Sequence, residues 1–257
     1  KSYADELPVV ARTVGVDVQK DRIEYSVVDW GEGEESWLRE HVILPGDTAQ
    51  PEVWGQLGEE LGDWAPDCAA IDSGYNTSMV YAFVERRRWA VAVKGVPGPG
   101  RPLVEDERAR RQRLRRQRKK GITVHMVGDD QAKALIYARA KILKPGAGYI
   151  HFPADAAFDD EYFAQFAAEK LVPRMRGTRP IYEWVQTRPR NEALDCYKYA
   201  LAARRLLPAQ GVIARRYAIP AAPVAPPVPA PSEPEGALAR FTAMLRERHR
   251  ARHGQRG

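Results

Sequence analysis

Cysteine is scarce in this chain, and long apolar runs are absent. The 257 residues contain two cysteines, Cys68 and Cys196, which form no recognisable disulfide or metal framework. We interpret both as small buried side chains, a usage that suits a reducing cytoplasm. No apolar run is long enough to span a bilayer and no secretory signal is present, so we expect a cytoplasmic protein without a membrane partner.

Motifs for zinc binding, serine chemistry and nucleotide hydrolysis are also absent. The five histidines do not fall at zinc-ligand spacing, and we expect His125 and His151 to be structural. The chain has no Gly-x-Ser-x-Gly elbow and no Gly-x-x-x-x-Gly-Lys-Ser/Thr phosphate loop. The sequence given is therefore not expected to hydrolyse ATP.

Positive charge is concentrated in two segments. The formal net charge is +6, yet residues 101–120 alone carry a net +7 and residues 236–257 a net +5, which leaves −6 for the rest. An Arg-rich segment inside a domain fits an arm that follows a phosphate backbone, so nucleic acid is the expected partner. The candidate phosphate contacts in this arm are Arg108, Arg110, Arg111, Arg113, Arg115 and Arg116.

Composition divides the chain into parts. We expect an incoming linker at 1–11 and a folded domain at 12–208, which includes the basic arm at 101–120. The arm has too few apolar positions for a core-facing helix, so it is predicted to form a mobile loop or protruding hairpin. Residues 209–235, rich in Pro and Ala, predict an extended linker. Residues 236–257 predict a basic tail with one short helix that docks on a partner.

Alternating apolar residues predict a sheet that begins with three antiparallel strands. These strands are expected at 12–19, 22–30 and 36–44, with short turns between them. Helices at 51–61 and 77–88 then alternate with strands at 67–72 and 89–94. This order is that of the ribonuclease-H-like fold, an α/β architecture with a mixed sheet. The remaining predicted helices and strands cover 122–127, 129–143, 148–152, 159–169, 170–176, 180–187 and 191–207.

One carboxylate in the middle of the first strand requires an explanation. Asp17 lies between two valines, and burying an unpaired carboxylate is costly, so we expect it to meet solvent, a cation or a metal. The ribonuclease-H-like order would place Asp72 on the neighbouring strand. Two such carboxylates repel unless a cation separates them, and magnesium or manganese prefers oxygen ligands. Asp195, in the first turn of a late helix, would complete the site.

A set of carboxylates with two divalent ions can hydrolyse a phosphodiester. One ion activates water and the other stabilises the leaving oxygen. Lys94 follows the strand of Asp72 and could neutralise phosphate charge, although a solvated strand end explains it equally well. Asp72 and Asp195 also have structural explanations, as a turn residue and a first-turn residue. Four further acidic residues are expected to be turn or cap residues, although Asp21 could also reach the metals: Asp21, Asp129, Asp130 and Glu192.

Motifs in a fixed order across residues 12–207 resemble one known family. They are Gly15-Val-Asp-Val-Gln19, Ala70-Ile-Asp-Ser-Gly74, Val93-Lys-Gly95, Gly128-Asp-Asp-Gln-Ala-Lys133, Leu135-Ile-Tyr137, Gly148-Tyr-Ile-His-Phe-Pro153, Phe158-Asp-Asp-Glu-Tyr-Phe163 and Arg190-Asn-Glu-Ala-Leu-Asp-Cys196. On these motifs the chain resembles the C-terminal nuclease half of the large terminase subunits of lambda-type (GpA-like) tailed phages. It departs from them in the Arg-rich insert at 108–120 and in the Pro/Ala linker.

The resemblance implies a metal-dependent endonuclease that cuts concatemeric double-stranded DNA into genome lengths. The family's acidic site would fall on Asp17, Asp72 and Asp195, with Asp17 bridging two Mg²⁺ or Mn²⁺ ions. Lys94 and Lys133 lie in recurring motifs. The implied partners are double-stranded DNA, the ATPase domain of the same chain, a small terminase subunit and the portal or procapsid. The implied location is the host cytoplasm, for a phage- or prophage-encoded protein.

Two alternatives stay open from the sequence. A ribonuclease-H-like transposase, integrase or resolvase would use the same carboxylates and would prefer branched or terminal-repeat DNA. A non-catalytic DNA-binding or docking module of a packaging motor would use the carboxylates structurally, so divalent metal would not stabilise it.

Overall fold

The sheet begins with a buried antiparallel meander. In a computed structural model, which describes residues 7–117 and 121–207, β1 (Ala11–Val18) pairs with β2 (Arg22–Trp30), and β2 pairs with β3 (Ser36–Pro45). The three predicted strands are thereby confirmed. The expected linker at 209–235 and basic tail at 236–257 lie outside the described residues.

The rest of the domain alternates helices and strands around this meander. In chain order the elements are α1 (Pro51–Trp64), β4 (Cys68–Asp72), α2 (Thr77–Glu85), β5 (Ala90–Val96), α3 (Glu107–Gln117), β6 (Val124–Gly128), α4 (Asp129–Arg139), β7 (Ile150–His151), α5 (Asp160–Phe166), β8 (Glu169–Arg176), β9 (Arg179–Gln186) and α6 (Glu192–Leu206). The main sheet has the order β6-β5-β4-β1-β2-β3-β7, with β1 parallel to β4, and β8 and β9 form a separate hairpin. This order confirms the ribonuclease-H-like α/β fold. No described helix is long and apolar enough to cross a membrane.

The central strand β1 is buried on both faces because a helical layer covers each side. Val14 and Val16 belong to the core cluster beneath α1 and α2. The alternate residues face α6, where the Thr13 hydroxyl donates a 2.8 Å hydrogen bond to the carbonyl of Ala200. A Cβ atom on Gly15 would lie 1.8 Å from the carbonyl oxygen of Cys196. Gly15 therefore lets the backbone of α6 lie directly on the central strand.

The basic arm is not the predicted loop or hairpin, because residues 107–117 form the helix α3. Asp106 begins it, since its Oδ1 accepts a 2.8 Å hydrogen bond from the backbone N–H of Ala109. Glu107 pairs with Arg111 one turn later, and arginine is itself a good helix former. Arg113 donates a 2.7 Å hydrogen bond to the carbonyl of Val124. The helix is thus anchored by polar contacts, which a search for an apolar face overlooks.

Two details of the helix ends also differ from expectation. The helix α4 ends at Arg139, before Leu143, which is 76% exposed and not part of the core. The backbone N–H of Ile142 bonds to the carbonyl of Arg139 in a tight turn that redirects the chain. Asn76 precedes α2 but does not cap it, because its side-chain amide donates to the hydroxyl of Thr48 at 2.6 Å.

The close approach of α6 to β1 makes Gly15 intolerant of any side chain. Gly15→Ala should lower the free energy of unfolding by at least about 3 kcal/mol, because the new methyl group meets helix backbone that can move only with the whole helix. The matched control is Gly55→Ala in α1, where a Cβ meets nothing within 4 Å, and a gain of up to about 1 kcal/mol is expected. Urea denaturation measures both. Equal stability of Gly15→Ala and wild type would contradict this packing.

Candidate functional site

The three aspartates predicted from the sequence come together beside the central strand. Val16 of β1 is in parallel register with Ile71 of β4, so the following residues, Asp17 and Asp72, are neighbours near the ends of adjacent strands. Asp17 shares the face of Gly15 and therefore points toward α6, whose first turn carries Asp195. Asp72 and Asp195 line a cavity of about 380 Å³, and Asp17 lies buried close to both.

Asp17 is the buried carboxyl group of this cluster, and its pKa is strongly raised. Asp17 is 3% exposed, so solvent, one of the three surroundings expected for it, is excluded. Burial first, and then the negative charges of Asp195 and Asp72, raise its pKa to about 8, although a 2.6 Å hydrogen bond from the Gln19 amide acts in the opposite direction. Burial also raises the pKa of Asp72, against the attraction of Lys198. Without a bound cation, the charged form of Asp17 is therefore disfavoured in this cluster.

Lys198 is a cavity residue that the sequence analysis missed. Its ammonium lies 2.7 Å from Asp195 Oδ1 and 3.0 Å from Asp129 Oδ1. Burial works against the charged form, but Asp195, Tyr199 and Asp129 outweigh it and raise the pKa of Lys198 above its ordinary value. The available signal was a lysine one helical turn after Asp195 within an otherwise apolar stretch.

Asp129 is a cavity residue rather than the expected turn or cap residue. It lies in the first turn of α4 behind Gly128, which holds the N-cap position. Its carboxylate lines the cavity and packs against β5, where a Cβ on Gly95 would lie 2.7 Å from Asp129 Oδ1. Asp130 instead accepts a 3.2 Å hydrogen bond from the backbone N–H of Gly98. The carboxylates that line the cavity are thus Asp72, Asp129, Glu169 and Asp195, with Asp17 beside them.

Lys94 and Lys133 both line the acidic cavity but differ in their surroundings. Lys133 donates a 2.7 Å hydrogen bond to Glu169, which is itself buried. Lys94 is exposed and also lines a neighbouring cavity of about 650 Å³ that runs beneath α3. Lys94 is therefore the residue that connects the acidic cavity with the underside of the basic helix.

The six candidate arginines of α3 fall into two groups. Arg110 lies 3.2 Å from His125 and Arg113 pairs with Glu105, so these two hold the helix against β6. Burial, together with Arg110, lowers the pKa of His125 to about 4, which agrees with a structural histidine. The exposed group consists of Arg108, Arg111, Arg115 and Arg116.

An ionic network holds the start of α6 beside the meander. Glu24 lies opposite Asp17 in the β1–β2 register and is fully buried. It accepts hydrogen bonds of 2.6 Å from Arg22 and from Arg190, and both arginines also pair with Glu192. Glu192 was expected to be a cap residue; it fastens the first turn of α6 to β2 and so positions Asp195.

The chemistry of the acidic cavity suits a hard divalent cation. Its donors include carboxylate oxygens, the ligands that Mg²⁺ and Mn²⁺ prefer, and a bound cation would offset the burial and the repulsion that together raise the pKa of Asp17. Among residues 7–117 and 121–207, no three His, Cys, Asp or Glu side chains are already arranged as a ligand set for one ion. Lys198 instead engages Asp195 and Asp129.

The fold and this cavity define a ribonuclease-H-like α/β domain with carboxylates gathered beside its central strand. Residues 6–215 match the family described as terminase large subunit gpA, endonuclease domain, and the chain belongs to this family. The expected family is thereby confirmed.

Two relatives and one solved structure accompany the family match. The chain is 30% identical to the large terminase subunit of Escherichia phage lambda over 223 residues, covering 79% of this chain and 34% of the relative. It is 29% identical to that of Enterobacteria phage P21 over 216 residues, covering 77% and 33%. The chain thus spans about a third of each relative. A mutant nuclease domain of the large terminase subunit gp2 of bacterial virus Sf6, with manganese and beta-thujaplicinol, has a TM-score of 0.47 at 13% identity, covering 77% of this chain and 89% of that one.

The raised pKa of Asp17 makes the stability of the metal-free protein depend on pH. The folded protein keeps a proton on Asp17 up to about pH 8, whereas the unfolded chain releases it near 3.8. The stabilisation from this proton is complete below the lower value and is lost as pH rises through the higher one. In EDTA, wild type should lose at least about 1 kcal/mol of unfolding free energy relative to Asp17→Asn between roughly pH 4 and pH 8.

Urea denaturation at several pH values measures this difference. The matched control is Asp63→Asn, at an exposed aspartate of α1, which should show no such trend relative to wild type. A difference between wild type and Asp17→Asn that stays constant over the whole range would contradict the electrostatic account.

Proposed function

We propose that this domain is a divalent-metal-dependent endonuclease that hydrolyses phosphodiester bonds of double-stranded DNA. The observation that carries the proposal is the convergence of Asp72 and Asp195 on the buried Asp17, whose pKa they help to raise. These carboxylates gather at the edge of an open cavity, and a buried carboxylate with a perturbed pKa beside a cavity is a common mark of a functional site. Membership of the terminase endonuclease family supports this function over the resolvase and transposase alternatives.

Asp17, Asp72 and Asp195 would hold the two Mg²⁺ or Mn²⁺ ions. When bound, the ions supply an activated water and stabilisation of the leaving oxygen. The side chains of this chain have separate tasks. The Gln19 amide orients Asp17 through its 2.6 Å hydrogen bond, and the Glu24–Arg22–Glu192 network keeps Asp195 at the cavity.

DNA would approach along the face that carries Lys94 and the exposed arginines of α3. Lys94 lines both the acidic cavity and the cavity beneath α3. A DNA phosphate backbone that extends from the acidic cavity toward α3 would therefore pass next to positive charge. Lys133 is already paired with Glu169 and would contribute less to phosphate binding. Because phosphate contacts carry no sequence information, cutting should show little base preference.

Membership of the family supports a biological setting for this proposal. This domain would cut concatemeric DNA during packaging, in the host cytoplasm, as part of a phage- or prophage-encoded large subunit. Its partners would be the ATPase domain of the same chain, a small terminase subunit and the portal or procapsid. The chain spans about a third of its relatives, so these partners would engage a larger protein.

Replacing Asp17 should remove both metal binding and cutting. Asp17→Ala is expected to lower plasmid cleavage in Mn²⁺ by about 100-fold or more, because a carboxylate of the proposed metal site is lost. It should also abolish the rise in melting temperature that Mn²⁺ causes in the wild type, since only a ligand that binds the native state stabilises it. Gel analysis of plasmid cutting and thermal melts with and without Mn²⁺ give the two readouts.

The control for this experiment is Asp63→Ala, which removes an exposed aspartate of α1 and should behave as wild type. Undiminished cutting by Asp17→Ala would sink the assignment. A wild type that neither cuts nor gains thermal stability in Mn²⁺ would instead support the non-catalytic docking module.

Substituting the exposed arginines of α3 should weaken the binding of duplex DNA. Changing Arg108, Arg111 and Arg115 together to Gln should weaken duplex binding at low salt by about tenfold or more, and reduce the slope of log affinity against log salt by roughly 2–3. The fold should be unaffected because all three are exposed. Arg86→Gln, at an exposed position after α2, is the control. Fluorescence anisotropy over a salt series measures the slope, and an unchanged slope would exclude α3 from the DNA path.

A further inference from the structure

A buried ammonium group lies within the acidic cavity and joins two helices. Lys198 is 3% exposed, and its Nζ contacts Asp195 of α6 at 2.7 Å and Asp129 of α4 at 3.0 Å. It also lies 4.5 Å from the ring centroid of Tyr199, within the range of a cation–π contact. These contacts fix the ammonium at the wall of the cavity that Asp72 and Asp195 line.

We propose that Lys198 is a resident cation of this site, which holds Asp195 and Asp129 together in the absence of metal and competes with divalent ions for Asp195. The inference rests on the proposed metal-dependent function and adds a positioning residue to it. Neither Lys198 nor Asp129 was a site residue in the sequence analysis.

The first part of the inference follows from the balance of buried charge. Five carboxylates, those of Asp17, Asp72, Asp129, Glu169 and Asp195, lie at or beside the cavity, and Glu169 is paired with Lys133. Removing one partner of a buried ion pair leaves an uncompensated charge, which is strongly destabilising. The Lys198 ammonium gives Asp129 and Asp195 a shared partner, so α4 and α6 can meet at the cavity before any metal binds.

The second part follows from the position of the contact. Lys198 Nζ is within hydrogen-bond distance of an oxygen of Asp195, the group proposed as a metal ligand. A divalent ion at that carboxylate must share it with the ammonium, and two cations so close together repel. Lys198 therefore raises the concentration of metal that the site requires. Asp129 has the opposite effect, because its negative charge draws Lys198 toward α4 and favours cations in the cavity.

Substitutions of Lys198 and of Asp129 should shift the Mn²⁺ requirement in opposite directions, which a merely structural role of Lys198 does not predict. Lys198→Met removes the competing charge while keeping a side chain of similar length, so half-saturation should need about tenfold less Mn²⁺ than in wild type. Cutting should nevertheless fall, because Asp195 loses its anchor. Asp129→Asn removes negative charge and should raise the Mn²⁺ requirement several-fold. A purely structural lysine would weaken metal binding and cutting together.

The experiment uses the whole chain and two measurements. The first is the melting temperature in EDTA, where Lys198→Met should fall by about 5 °C or more and Asp129→Asn by less. The second is the Mn²⁺ concentration that gives half of the maximal rise in melting temperature, with calorimetric titration as a check. Lys198→Gln, which is neutral but can still donate a hydrogen bond, replaces Lys198→Met if the latter does not fold. Lys198→Arg keeps the charge and should stay close to wild type in its Mn²⁺ requirement.

The outcomes separate this inference from the proposed function. If wild type responds to Mn²⁺ but the neutral Lys198 variants need the same concentration or more, the resident-cation role is overturned and the nuclease proposal stands. Unchanged stability of those variants in EDTA would likewise overturn it. If wild type itself shows no response to Mn²⁺, the proposed function fails, and the competition proposed for Lys198 fails with it.

Discussion

A cluster of carboxyl groups beside the central strand, with Asp17 buried among them, is the constraint on which the rest of this structure depends. Asp17 occupies a position that packing alone would give to an apolar residue, between strands that are covered on both faces. The negative charges of Asp195 and Asp72 further increase the free energy that is needed to ionise the buried Asp17 carboxyl group. The surrounding architecture has to keep these three groups together against their repulsion, and several of its features are explained by that requirement.

The closeness of α6 to the sheet is the first of these features. Gly15 allows helix backbone to lie on β1, and the ionic network of Glu24, Arg22, Arg190 and Glu192 fixes the start of the helix. Gly74 gives room to Asp72 in a similar way, since a Cβ there would lie 2.9 Å from its Oδ2. Rigid elements thus hold each carboxylate, as a site that binds cations in a defined arrangement requires.

Much of this arrangement could be predicted from the sequence. The alternation of apolar residues gave the strands of the meander, and the order of elements gave the neighbouring positions of Asp17 and Asp72, because β4 must pair with β1 in this topology. An aspartate between valines was a strong signal, since few structural reasons account for it. The sequence motifs also indicated the family that the match over residues 6–215 confirms.

Features that depend on polar contacts between distant residues could not be predicted in this way. The helix α3 is held by arginine contacts to β6 and Glu105 rather than by an apolar stripe, so hydrophobic periodicity gave no indication of it. In the sequence, Asp129 looks like an ordinary first-turn residue of a helix. Its place in the cavity depends on the close packing of its carboxylate against Gly95 of β5, which only the fold shows. The spacing of Lys198 from Asp195 on α6 was visible in the sequence, but its second partner, Asp129, is on α4, and only the fold brings that carboxylate to the ammonium.

The central claim is that Asp17, Asp72 and Asp195 share divalent cations. Anomalous diffraction from crystals soaked in manganese chloride tests it most directly, because the signal locates manganese independently of any assumption about activity. The account predicts manganese peaks within coordination distance of all three carboxylates, with Asp17 contacting each ion. Manganese that binds elsewhere, while these three side chains remain as they are without metal, would contradict it.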